Sequence, residues 1–231
     1  MARDDRMEKV IFSWSGGKDS AIALYEIQKS DKYKILTLLT TITEGYDRVS
    51  LHGVPRTLVE QQAHSLGLPI EEVFIPRVCS NEEYESKMRG TLTRFKQDGI
   101  SSTVFGDVFL EWVKKYREDN LSKLGMKGIF PIWGRDTAEL ARSFITLGFK
   151  AIITCVDLRV LDKRFVGRML DEHFLTELPP NIDPAGENGE FHSFVFDGPI
   201  FKERIAYTLG EIVLRDSFYF CDLLPKGGWG R

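Results

Sequence analysis

Cysteine is scarce in this 231-residue chain: Cys79, Cys155 and Cys221 stand far apart and form no C-x-x-C pair. That spacing argues against a disulfide framework and against a zinc site, and it fits buried, reduced thiols. A basic excess is also missing. The 31 Lys and Arg residues against 34 Asp and Glu leave a net charge of -3 and a pI near 5.9, so no direct nucleic-acid binding is expected. No run approaches the ~20 apolar residues of a membrane span. The opening Met1–Arg6 is charged, and the apolar run after it is too short for a signal peptide. The expectation is a cytoplasmic protein without membrane contact, with the tail Lys226–Arg231 as a loose end. A hydrophobic content of 42% is enough for one large domain, or a medium and a small one.

What is present alternates. Apolar runs at Val10–Phe12, Lys34–Ile42, Glu72–Ile75, Ser102–Gly106 and Gly128–Phe130 read as five strands. Between them apolar residues recur at helical spacing: Leu58, Val59, Gln62, Ala63 and Leu66; Tyr84, Met88, Leu92 and Phe95; Phe109, Trp112, Val113 and Tyr116. Leu140, Ala141, Phe144 and Leu147 mark a further helix. Near-continuously apolar strands separated by helices predict an α/β fold, a doubly wound parallel five-stranded sheet ordered 3-2-1-4-5. After about residue 150 the pattern changes. Lys150–Val156 reads as a strand, and Phe165, Val166, Met169, Leu170, His173 and Phe174 read as one helix stripe. A polar stretch, Pro179–Glu190, precedes β-like runs at His192–Phe196, Glu211–Leu214 and Phe218–Cys221. This divides the chain into an α/β domain, 1–149, and a smaller C-terminal α+β domain, 150–231. An exposed sheet edge in the second unit favours a homodimer.

The densest chemistry follows the first strand: Ser13-Trp14-Ser15-Gly16-Gly17-Lys18-Asp19-Ser20, then the amphipathic run Ala21–Ile27. A glycine-rich turn between a buried strand and a helix can wrap its backbone N–H groups around phosphate oxygens. Gly16 and Gly17 allow close backbone approach, Ser15 and Ser20 add hydroxyls, and Lys18 adds positive charge. Asp19 is odd in an anion site unless it holds Mg²⁺ or caps the helix. The loop fails both the P-loop and the dinucleotide pattern. In the predicted sheet order, Gly106-Asp107 lies beside it, beyond the fourth strand.

A second cluster, Glu187-Asn188-Gly189-Glu190-Phe191-His192, places two carboxylates and an imidazole in a loop before a strand. It could bind Mg²⁺, orient an amine or take its proton. Of the other histidines, His64 and His173 fall on helix stripes and read as packing. His52 sits in the loop beyond the second strand, where adenine or substrate could lie.

The loop matches S-G-G-x-D-S, and so resembles the pyrophosphate loop of ATP pyrophosphatases. Together with Asp183-Pro184-Ala185-Gly186-Glu187-Asn188-Gly189-Glu190-Phe191-His192-Ser193-Phe194 and Asp197-Gly198-Pro199-Ile200-Phe201, the chain resembles the diphthine–ammonia ligase family of those enzymes. Gly106-Asp107, Pro131-Ile132-Trp133 and Val166-Gly167-Arg168 also fit, and the resemblance covers residues 8 to 224. It implies a HUP-like fold of the adenine nucleotide alpha hydrolase type. It implies ATP and Mg²⁺ as cofactors, with ammonium and a carboxylate acceptor as partners. In that family the acceptor is diphthine on a translation elongation factor, adenylated with release of pyrophosphate and then amidated by ammonia. Family members tied to diphthamide tend to carry Glu-Gly-Gly-Glu, where this chain has Glu187-Asn188-Gly189-Glu190. That variant resembles a subgroup proposed to act on a corrinoid acid in cobalamin salvage, so both acceptors stay open. A non-catalytic nucleotide sensor is the rival of another class.

The residues expected to bind the nucleotide are Ser13, Ser15, Gly16, Gly17, Lys18, Asp19, Ser20, Thr40, His52, Gly106 and Asp107. Asp19 and Asp107 are the candidates for Mg²⁺. Asp19, Glu187, Glu190 and His192 are the expected catalytic residues.

Overall fold

A computed structural model describes residues 7–50 and 52–226. The charged opening residues and all but Lys226 of the glycine-rich tail lie outside the described residues. Strand β1 (Glu8–Ser13) is the centre of the first sheet, and helix α1 (Lys18–Lys29) follows it across the glycine-rich turn. Then come β2 (Tyr33–Thr43), β3 (Arg48–Val49), α2 (Arg56–Leu66), β4 (Ile70–Ile75) and α3 (Asn81–Gln97). The unit continues with β5 (Ser102–Val104), α4 (Glu111–Ser122), β6 (Lys127–Ile129) and α5 (Thr137–Thr146).

The parallel strands run β4-β2-β1-β5-β6, the order expected from the sequence. Alternation along β1 explains why both faces are covered. Val10 and Phe12 enter a core shared with α1, α2 and α5, while Ile11 enters a second core with Leu92 of α3 and Leu121 of α4. The five-strand expectation needs one correction. The short strand β3 joins antiparallel, pairing Ile42 and Thr43 of β2 with Val49 and Arg48. Beyond Ser13 that edge of β2 has no β1 residue left to pair with, and the chain folds back to fill it.

The second sheet runs β8-β7-β10-β9 and is antiparallel throughout. Its strands are β7 (Lys150–Asp157), β8 (Phe191–Asp197), β9 (Tyr207–Arg215) and β10 (Phe218–Pro225). The single helix stripe expected over 165–174 is not formed. Residues 163–165 make one tight turn, and α6 spans only Glu172–Glu177, capped by the Asp171 carboxylate accepting from the Phe174 N–H. Between them Gly167 has φ +78°, and the segment hydrogen-bonds along the half of β7 that β10 leaves uncovered. Gly167 N–H donates to the Ile153 carbonyl, and Leu170 N–H to that of Ala151. Open strand backbone outcompetes a helix interrupted by glycine.

One apolar cluster runs from Val10 and Leu58 through Phe144 to Phe194 and Leu223, so the second sheet packs on the first through a common core. Strand β8 is thereby brought against the start of α1. No helix among the described residues is long and apolar enough to cross a membrane.

Candidate active site

The glycine-rich turn is built by contacts from three directions. From below, α2 contributes Gln62, fully buried. Its side-chain N–H groups donate to the carbonyls of Gly16 (3.0 Å) and Val195 (2.6 Å), and its oxygen accepts from the Trp14 indole at 2.9 Å. From the second sheet, the Val195 N–H donates to the Gly16 carbonyl at 2.9 Å, and the Ser193 hydroxyl accepts from the Lys18 N–H at 3.2 Å. From the side, Gly106 lies so close that a β-carbon there would stand 2.9 Å from the backbone of Asp19 and Ser20. Only glycine allows that approach. Within the turn, Gly16 adopts φ +79°, and the Ser15 and Ser20 hydroxyls lie 3.2 Å apart. Ser20 also donates to the Gly17 carbonyl at 2.8 Å.

Gly17 is the N-cap of α1 and no side chain caps it, so Asp19 is not the cap. It sits in the first turn, where its Oδ2 accepts from the buried Lys18 ammonium at 2.8 Å. Its Oδ1 is buried and has no hydrogen-bond partner among the described residues. The Lys18 ammonium also lies over the Phe191 ring, 5.4 Å from its centroid.

The acidic loop arrives from the opposite wall, shaped by Asp183. The Asp183 carboxylate accepts from the Glu187 N–H at 2.8 Å. The Glu187 Oε1 accepts from the Val108 N–H at 2.9 Å, which ties the loop to the Gly106-Asp107 turn. Burial, then the negative charge of Asp19, pushes the Glu187 carboxyl up to about 7. Glu190 faces its own loop instead. It is buried, and its Oε1 accepts from the Asp183 N–H and the Asn188 amide, both at 3.1 Å. The Asp107 carboxylate meets the Arg117 guanidinium at 2.6 Å.

Two histidines from different units meet over the turn: the His52 and His192 rings have centroids 4.6 Å apart. His52 Cδ2 would lie 3.8 Å from a β-carbon on Gly17. Burial lowers both pKa values, that of His192 well below the usual imidazole value with His52 as second cause, so both rings are neutral at pH 7. His52 Nδ1 faces the Ser50 carbonyl at 3.3 Å, which puts the proton there and leaves Nε2 as an acceptor. Ser13 is half-buried at the end of β1, and Thr40 is buried within β2, three residues before its end, with an unpartnered hydroxyl.

The fold thus gathers the turn, Asp107, Glu187, His52 and His192 at one place, the C-terminal edge of the parallel sheet. Gln62, Ser193 and Asp183 were missed by sequence reasoning. Gln62 carried a signal, since it is a polar residue on an otherwise apolar helix stripe.

Comparison with known proteins decides the family. Residues 8–128 match the diphthamide synthase N-terminal domain, and residues 136–223 match the diphthamide synthase C-terminal domain. The chain belongs to the diphthamide synthase family. Among curated relatives, the diphthine–ammonia ligase of Schizosaccharomyces pombe is 25% identical over 236 residues, covering 94% of this chain but 39% of that protein. The human diphthine–ammonia ligase is 22% identical over 183 residues, covering 77% of this chain and 68% of the human one. This diphthamide synthase family member therefore spans well under half of the yeast relative. A solved structure of a predicted tRNA methyltransferase subunit from Methanocaldococcus jannaschii shares 18% identity with a TM-score of 0.41. It covers 68% of this chain and 82% of that one, too distant a likeness to align the two sites.

Proposed function

We propose that this chain is an ATP-dependent amide-forming ligase. ATP lies with its β- and γ-phosphates in the Ser15–Ser20 turn, and an oxygen of an acceptor carboxylate attacks the α-phosphorus. The bond to the bridging oxygen breaks, pyrophosphate leaves, and an acyl-adenylate forms. Ammonia then attacks the acyl carbon, AMP leaves and one proton is released. The acceptor we propose is diphthine, as the names of the relatives indicate, carried on a translation elongation factor. The observation that carries this reading is the turn itself, an anion cradle at the strand's C-terminal edge held by Gly106, Gln62 and Ser193.

Roles follow from position. The turn from Ser15 to Ser20, with Lys18, neutralises and orients the phosphates. Ser13, Thr40, His52 and Gly106 complete the nucleotide site. Glu187, unusually basic for a carboxylate, and the neutral His192 are placed to take a proton from the ammonium nitrogen. Glu190 keeps the acidic loop in shape for that task. Mg²⁺ fits as well. The Asp19 Oδ1 is buried and unpartnered, and the Asp19 charge is felt at Glu187, where it helps raise the pKa. Among the described residues no group of three His, Cys, Asp or Glu side chains makes a closed cage. That suits an ion that binds through one or two carboxylates plus phosphate oxygens. Asp19 would hold it through that free oxygen, and it would supply counter-charge to the phosphates; Asp107, expected beside it, spends both carboxylate oxygens on Arg117. We also take the division at 149/150 as functional, nucleotide on the first unit and acceptor reached through the second.

The test is incubation with ATP, Mg²⁺, ammonium and diphthine-bearing elongation factor. Mass spectrometry should find the acid converted to the amide, dependent on all four. No conversion, with the acceptor intact and ATP bound, overturns the choice of acceptor.

A further inference from the structure

The second sheet ends in two unlike edges. At one, β8 is occupied by the phosphate-binding turn: the Val195 N–H donates to the Gly16 carbonyl, and the Val195 carbonyl accepts from Gln62. At the other, β9 pairs with β10 alone. Its nine residues, Tyr207–Arg215, include no proline and no lysine, the residues that commonly blunt such an edge.

The hairpin sets which backbone groups of β9 are open. Asp216-Ser217 is a two-residue turn between Arg215 and Phe218. The pair closing such a turn exchanges both hydrogen bonds, and alternation then directs the N–H and C=O of Arg215 and Val213 toward β10. Those of Ile212 and Leu214 point outward, where no strand among the described residues meets them. The one register shift between β9 and β10 falls before Ile212, so the strand is regular from there to the turn.

Its two faces differ in chemistry. Leu209, Ile212 and Leu214 stand opposite Leu223, Cys221 and Tyr219, on the face where Cys221 and Leu223 are buried. Yet they are 52%, 53% and 53% exposed, because β9 overhangs the core. Glu211, Val213 and Arg215 line a hollow with Phe220 on the other face. Neither Glu211 nor Arg215 has an ion-pair partner among the described residues.

A second copy of the chain, placed on a two-fold axis through Val213, answers each of these features. Antiparallel pairing sets Ile212 opposite Leu214 of the second copy, and Leu214 opposite its Ile212, so the outward N–H and C=O groups bond each other. On the other face Glu211 meets Arg215 of the second copy, and Arg215 meets its Glu211. Sliding the copies by two residues sets Val213 against one of the charges and breaks both ion pairs. Sliding by four sets Glu211 or Arg215 against itself.

We infer that this chain forms a two-fold dimer through β9, in that register, which joins two four-stranded sheets into one continuous sheet. The β8 edges, with the phosphate-binding turns they hold, lie at the far ends and stay open. The paired stretch is short against the about 20–30 residues per side of a standard interface, so the association is reversible, with a dissociation constant in the micromolar range.

Sedimentation velocity of the full chain from about 1 to 200 µM tests it. The 26.4 kDa monomer should give way to a species of twice that mass as concentration rises. Ile212→Lys changes a side chain already half-exposed in the monomer, and should weaken the dimer at least about tenfold with its circular dichroism unchanged. Glu211→Arg and Arg215→Glu each set like charges against each other and should also weaken it about tenfold. The double variant Glu211→Arg/Arg215→Glu restores both ion pairs and should recover most of the affinity, which also shows that neither single change acts by misfolding. A monomer over the whole range overturns the inference and leaves the edge to a strand of another protein. A dimer indifferent to all three single variants overturns the interface, and loss without recovery in the double variant overturns the register.

Discussion

Gly106→Ala is the substitution that most directly probes how the phosphate-binding turn is held. Gly106 has ordinary backbone angles, so an alanine there meets no conformational penalty, only a collision. Its β-carbon would lie 2.9 Å from Asp19 C and Ser20 N, where ordinary contact begins at 3.4 Å. The partner atoms are backbone, so the turn must retreat by about half an ångström. Overpacking of this kind costs about 1–3 kcal/mol. If the turn moves, that cost returns when ATP pulls it back, and ATP affinity falls about 5- to 150-fold. If the turn does not move, the cost appears as strain and lowers the melting temperature by about 4–8 °C for 2 kcal/mol. Gly90→Ala is the matched control. It lies inside α3 with nothing within 4 Å of its would-be β-carbon, and should stabilise by up to about 1 kcal/mol. Thermal unfolding and ATP titration of both variants decide the matter. A Gly106→Ala protein that melts and binds ATP like Gly90→Ala would refute the packing argument.

Four further outcomes follow from the site. Asp19→Ala should abolish pyrophosphate release while leaving the fold intact, read by a coupled pyrophosphate assay and circular dichroism. A carboxyl whose pKa is raised by folding contributes stability below its unfolded value near 4.5 and loses it as pH rises through 7. Glu187→Gln keeps the acceptor for Val108 N–H without the buried charge, so its melting temperature should gain on the wild type between pH 5 and pH 8, by no more than about 3 kcal/mol of stability; a constant difference across that range contradicts the assignment. Glu190→Ala leaves the Asp183 N–H and the Asn188 amide unpartnered, should cost about 2 kcal/mol, and should expose residues 183–190 to limited proteolysis. Gln62→Leu strands the buried Trp14 indole N–H and removes two bonds that fix Gly16 and Val195, so thermal unfolding should fall by about 6–12 °C for about 3 kcal/mol.

The doubly wound sheet was legible because its strands are apolar on both faces and its helices carry regular stripes. The turn at Ser15–Ser20 was legible because strand, glycines and helix stand in immediate succession. The proximity of Gly106 to that turn followed from the strand order alone. Other features depend on contacts between distant segments. Strand β3 exists because β1 ends earlier than β2. The 167–170 segment gives up a helix for backbone left open by β10. Ser193 and Gln62 grip the turn across 175 and 46 residues of chain, a pairing that no local pattern encodes. The neutral state of the His52–His192 pair is a product of burial, which appears only once the second sheet is packed over the first.

The central claim is that the turn after β1 holds the triphosphate so that its innermost phosphorus is attacked. Phosphorus NMR of ATP turnover, with ammonium and acceptor present, tests it most directly. AMP and pyrophosphate appearing in equal amounts is the result expected; ADP and orthophosphate would contradict the account.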